Sequence, residues 1–405
     1  MSLRRVAKPR RKPSRRRMRP PLRAAVTTLS AAAALLLAPA VVVLPAHADA
    51  GLEVGPGVQP LGITEGPDGT LYVSDYDFYG SISVYPPGET RPSRTIETGR
   101  FPTSLAVTPD GTLYVSQSGE SGQGEIGVVA PGADKPTLSI KVSGGSHWLA
   151  VGPEGSLYIV DSAENSVSVV QPGDAWVERH IQAGPSPAEV ALAADGTAYV
   201  TNQLAGTVSV VPALAPAPTH TIDVGTKAQP HGIAAAPDGT VYVAGILTND
   251  VAVIEPGGTS VARRIPVGSA PQEVVAGADG TVYVTNSLDD TVSVIPAGAD
   301  AASGIVPSGD DPGRMAVRRD GSVVVVNRGD KSLTVIGPPT AAPATAASLE
   351  EGAAGGAGSG GAPAAAEPAN PGTVLSLPAM AGVAGGLVLC AAAAVVLLLR
   401  RRAAL

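Results

Sequence analysis

Three observations predict an all-β fold, a seven-bladed β-propeller. The 405-residue chain is 44% hydrophobic with 49 Gly and 38 Pro, too apolar for general disorder and rich in turn formers. The dipeptide Asp-Gly, once Glu-Gly, recurs at Gly69, Gly111, Gly155, Gly196, Gly239, Gly280 and Gly321, every 41 to 44 residues. Between these turns run short alternating segments, the pattern of small sheets repeated around an axis.

Residues 1–50 read as a signal peptide. A basic stretch to Arg23 precedes the apolar run 24–46, then the small-residue sites Ala46-His47-Ala48 and Ala48-Asp49-Ala50. Ser14-Arg15-Arg16-Arg17-Met18 also resembles a twin-arginine export signal.

Residues 51–337 form the predicted propeller. In one unit, residues 232–245 give two strands through the Asp238-Gly239 turn, residues 250–254 a third and 264–268 a fourth. The seventh unit lacks a fourth strand. Leu52-Glu53-Val54-Gly55 matches the fourth-strand sequences Ile96-Glu97-Thr98-Gly99 and Ile222-Asp223-Val224-Gly225, so it is expected to close blade seven as its outer strand. Tyr72, Tyr114, Tyr158, Tyr199, Tyr242 and Tyr283 repeat with the units and are expected between blades.

Residues 338–374, mostly Ala, Gly, Pro and Ser, predict a flexible stalk. Residues 375–399 predict one transmembrane helix, because 379–399 carry no charge, and Arg400-Arg401-Arg402 places the tail 400–405 in the cytoplasm. Leu377-Pro378-Ala379-Met380-Ala381 is laid out like a sortase signal but has Met-Ala where that signal needs Thr-Gly, which favours a retained helix. The expected location is the cell membrane, single-pass, with the propeller outside.

Residues 51–399 carry 14 bases against 34 acids, which argues against nucleic acid as a partner. The single cysteine, Cys390, excludes an internal disulfide framework and a Cys-based zinc site. No metal site and no cofactor are expected. Asp75-x-Asp77 and Asp289-Asp290 lack the ligand ladder of a calcium loop, and no phosphate loop or nucleophile elbow occurs.

Candidate site residues sit where each inner strand begins, at the channel mouth. The large, non-repeating ones are His147, Trp148, Glu189, His231, Gln272, Glu273 and Arg314. They could hold a small polar ligand, and His147, His231, Glu189 and Glu273 are the candidates for acid–base work; they could equally line a water-filled channel. Tyr76, Phe78 and Tyr79 fall in one mouth-side loop, and Phe101 and Trp148 approach from the next two blades. These five rings are expected to form a stacking platform for a glycan or peptide.

Tyr199-Val200-Thr201-Asn202 and Tyr283-Val284-Thr285-Asn286, each after Asp-Gly-Thr, resemble the YVTN-type β-propeller repeat. That resemblance implies the fold across residues 51–337, in a family that includes surface proteins, binding modules and enzymes. Pro230-His231-Gly232-Ile233-Ala234 is similar to repeats of the virginiamycin B lyases, which implies a metal-assisted His/Glu enzyme as the alternative. The chain departs from that pattern in having Tyr where those repeats favour Trp. The expected function is a membrane-anchored extracellular binding module for a cell-wall polymer or surface protein, with a monomeric propeller. A purely structural spacer is the third reading.

Overall fold

Each Asp-Gly turn closes the first hairpin of a blade, and its chemistry explains the motif. In blade one the Asp68 carboxylate accepts the Thr70 N–H at 3.0 Å and the Thr70 hydroxyl at 2.9 Å, while Gly69 takes φ 85°, a conformation open to glycine without strain. The Asp-to-Thr bond recurs at Asp110, Asp195, Asp238 and Asp279. These bonds hold Asp68 and Asp110 below the ordinary carboxylate range, Asp68 chiefly through the Thr70 N–H and Asp110 chiefly through the Thr108 hydroxyl.

The structure is a computed structural model that describes residues 51–119, 123–143 and 147–338. The predicted signal peptide, transmembrane helix and basic tail lie outside the described residues, as does the stalk beyond Pro338. Within them are seven antiparallel sheets and no α-helix. Six sheets hold four strands in chain order and the seventh holds three. The inner strands Pro60–Glu65, Arg100–Val107, Trp148–Val151, Pro187–Leu192, Pro230–Ala235, Pro271–Ala276 and Pro312–Val317 stand side by side in a ring, the last against the first.

Second strands such as Leu157–Asp161, Ala198–Asn202 and Val282–Asn286 are buried along their whole length, as a sheet covered on both faces requires. Five of the repeat tyrosines are buried members of the hydrophobic clusters and Tyr72 packs against one from its edge, as the repeat implies.

The Thr and Asn of the YVTN motif have separate work. In blade four Pro187 pairs with Asn202 and Val190 with Val200, so one extra residue bulges from the inner strand. The bulge lifts Ala188-Glu189 out of the ladder. Thr201 repairs the loss: its hydroxyl accepts the Glu189 N–H at 3.0 Å and donates to the His231 carbonyl of the next blade at 2.9 Å. Thr285 does the same for Glu273 N–H and Gly313 O, each at 3.0 Å, and Ser74 for Gly62 and Pro102. Asn202 donates to the third-strand hydroxyls of Thr207 and Ser209 and accepts the Gly184 N–H at 2.8 Å.

The closure of blade seven differs from the expectation. The third strand, Ser332–Ile336, pairs only with Val323–Asn327, and Leu52–Gly55 forms no ladder with it. Leu52 and Val54 nevertheless pack on the cluster that joins blades seven and one. Glu53 N–H donates to Thr90 O at 2.8 Å, the counterpart of Glu97 N–H to Asp134 O between blades one and two. The Tyr85 hydroxyl donates to Glu53 O at 3.0 Å, and burial pushes that phenol up to about 12, so it stays a donor at neutral pH. Three residues between Gly51 and Gly55-Pro56-Gly57 offer few ladder bonds against a high ordering cost, so side chains and blade one hold the segment instead.

Candidate functional site at the channel mouth

The bulge is what positions the predicted residues. It recurs in blades one, two, four, five, six and seven, and it frees Glu189, His231, Gln272, Glu273 and Arg314 from strand pairing at the mouth. Blade three has no such shift, and its inner strand starts directly at Trp148.

Glu189, Glu273, His231 and Arg314 come together. Glu189 is 1% exposed, and neither of its carboxylate oxygens has a hydrogen bond. Its Oε1 lies 3.0 Å from His231 Nδ1 and 3.8 Å from Arg314 Nη1, which is also 3.8 Å from Glu273 Oε2. The Arg314 guanidinium is stacked on Trp148, 3.6 Å from the ring centre. Burial, and then the neighbouring Glu189, push Glu273 well above the ordinary carboxylate range against the pull of Arg314 and Arg328. Burial lowers Arg314, while the two carboxylates oppose that shift.

His231 also replaces a missing hydroxyl. Blade five carries Ala244 where blades four and six have Thr201 and Thr285, so no threonine reaches the Gln272 carbonyl. His231 Nδ1 lies 3.2 Å from that oxygen. Both neighbours of Nδ1 are acceptors, so Nδ1 carries a hydrogen.

Trp148, His231, Glu273 and Arg314 line a cavity of about 80 Å³ together with His147, Gln272, Thr103 and Leu61, while Glu189 is not part of its wall. That is room for water or a small polar group, well under the ~300 Å³ of an ordinary ligand pocket. Buried polar atoms without hydrogen bonds do line it, Thr103 Oγ1, His147 Nε2 and Arg314 Nη1 among them, and a polar ligand would satisfy what the protein leaves open there.

His147 lines the same cavity but faces Asp161 rather than the two glutamates. It is 3% exposed, its Nε2 is 3.6 Å from Asp161 Oδ2, and neither ring nitrogen is hydrogen-bonded. Burial raises the Asp161 pKa, but His147 and the N–H groups of Glu164 and Ala163 outweigh it and leave the carboxyl below its ordinary range. Among the described residues no group of three or more His, Cys, Asp or Glu is placed to hold a metal ion.

Four of the five predicted aromatic residues form one cluster on the rim. Tyr76 and Phe101 lie 5.3 Å apart, Phe78 and Phe101 6.1 Å, and Phe78 and Tyr79 5.2 Å, with Arg100 4.4 Å above Phe78. The Phe78 contacts are edge-on, at 86° and 79°, so the rings make a ridge rather than a flat platform. Tyr79 stands out at 85% exposed. Trp148 is engaged by Arg314 instead. Phe101 has φ 52°, a left-handed backbone that Ser186, Gln229, Ala270 and Asp311 share before their own prolines. The fold dictates that conformation; placing a bulky ring on it is particular to blade two.

Sequence reasoning missed the Trp148–Arg314 stack and the double duty of His231. Ala244, a break in the Thr pattern, was the available signal for the second.

No protein-family model and no curated protein sequence matches this chain. Solved structures do. Hydrazine synthase of Kuenenia stuttgartiensis superposes with TM-score 0.62 at 20% identity, over 72% of this chain and 99% of that one. Virginiamycin B lyase from Staphylococcus aureus gives 0.59 at 14% identity, over 69% and 95%. The WD40 β-propeller domain of Doa1 gives 0.57 at 11%, over 70% and 94%. At such identities the likeness establishes a seven-bladed propeller and leaves the chemistry to the residues.

Proposed function

We propose that the chain is a membrane-anchored extracellular binding module that docks a protein or peptide of the cell surface on its mouth rim. The carrying observation is the ridge of Tyr76, Phe78, Tyr79 and Phe101 with Arg100, in which Phe78, Tyr79 and Phe101 are exposed, because Tyr, Phe and Arg gathered at one spot resemble the anchors that dominate protein interfaces. An edge-on ridge inserts between the side chains of a partner better than it floors a sugar ring. The signal-like residues 1–50 and the uncharged run 379–399 support a place outside the membrane, tethered by the C-terminal helix. A cell-wall polymer remains the competing partner. The test compares the wild-type chain with a Phe78→Ser/Tyr79→Ser variant of equal melting temperature against separated surface proteins and purified wall polymer. Retention of a protein by wild type alone supports the reading; retention of polymer, or equal retention by both chains, refutes it.

A further inference from the structure

A second concavity, larger than the one at the mouth, lies beside blade three. A groove of about 830 Å³ runs between blades two and three, in the size range of ligand sites and far larger than the mouth cavity. One wall is the outer strand Leu138–Lys141 of blade two; the other is the third and fourth strands of blade three, Ser166–Val170 and Arg179–Gln182.

We propose that this groove is a carbohydrate site that takes a neutral oligosaccharide, one sugar stacked on Trp176. The groove lies between two sheet faces, so side chains line it. Those side chains are Ser139 and Lys141 on one wall and Ser168, His180 and Gln182 on the other, groups suited to sugar hydroxyls, which both donate and accept. Ser168 Oγ fixes His180 by its Nδ1 at 2.9 Å, which leaves Nε2 for a ligand.

Trp176, 62% exposed, lines the same groove. The repeat has Arg91, Lys135, Ala217, Ser260 and Ala301 at the equivalent positions, so the indole serves no need of the fold. Two buried polar groups with nothing to bond also line the groove: both ring nitrogens of His147 and the hydroxyl of Ser143. Asp161 and Glu164, in a body of 14 bases and 34 acids, oppose an anionic polysaccharide and favour uncharged sugars. The inference is independent of the rim and of any protein partner.

Trp148 and Trp176 are the only two tryptophans, so fluorescence reads the site directly. The full-length chain is titrated with maltotetraose, cellotetraose and the tetramer of N-acetylglucosamine. At least one should give a saturable blue shift and protection from acrylamide quenching, at millimolar affinity or better. By calorimetry, that sugar should bind about tenfold more weakly to Trp176→Ala. It should also bind several-fold more weakly to Gln182→Ala, which keeps the indole signal. Both side chains are exposed, so the variants should melt like wild type. No saturable response to any of the three sugars would overturn the proposal, and so would binding undiminished in Trp176→Ala.

Discussion

Replacing Arg314 with methionine tests how the mouth is held. The change keeps a long apolar stem over Trp148 but removes the one cation lying between Glu189 and Glu273. At 3.8 Å and an effective dielectric near 20, one full ion pair amounts to about 4 kcal/mol. Part of this is offset because the guanidinium itself no longer has to leave water, so the net loss should be about 2–4 kcal/mol. In a domain of this size that lowers Tm by roughly 3–7 °C. The pH dependence is the sharper mark. Glu273 has a folded pKa raised above its unfolded value, so its contribution is complete below the unfolded pKa and is lost as pH rises through the folded one. Without Arg314 that folded value climbs further, and the gap between variant and wild type should widen from acidic to mildly alkaline pH. Thermal unfolding of both chains across that range is the assay. A variant as stable as wild type at alkaline pH, or a gap that does not vary with pH, would refute the electrostatic account of the mouth.

His231→Ala should cost about 1–2 kcal/mol by orphaning the Gln272 carbonyl, and adding Ala244→Thr should recover part of it in the same urea titration, since the threonine restores the hydroxyl of blades four and six. Asn202→Ala should cost about 2–3 kcal/mol, because three hydrogen bonds go and the Gly184 N–H is left unpaired; denaturant midpoints check this. Asp68 and Asp110 have folded pKa values lowered from 3.8, so their contribution is full above that value and disappears as pH falls through the folded ones. Asp68→Asn and Asp110→Asn should therefore flatten the acid limb of a Tm-against-pH curve relative to wild type.

Much of the architecture was legible because the repeat states it seven times over. The Asp-Gly-Thr turn, the tyrosine and the alternating strands each answer a local demand: a carboxylate for an N–H, a positive φ, an apolar face between blades. The mouth residues were legible for the opposite reason, as departures from the repeat at one recurring position. What stayed hidden depends on partners distant in sequence. Arg314 meets Trp148 across the ring from blade seven to blade three, and nothing local to either residue announces the stack. The ridge geometry of the rim depends on angles between rings, which composition does not encode. The missing ladder at Leu52–Gly55 turns on whether four residues can offset their ordering cost, a balance that a sequence match to other outer strands does not weigh.

The unladdered seam has a mechanical consequence. Six blades end in a strand zipped to its neighbour, but a pull on the chain at residue 338 bears on Ser332–Ile336, which among the described residues has no strand on its outer edge and shares its cluster with Leu52 and Val54. Under load the ring should part there first, like a split washer, and blade seven would carry Arg314 away from Trp148 and both carboxylates before any other blade shifts. A force on residue 338 would thus reach Arg314 and its two carboxylates while the other six blades still stood.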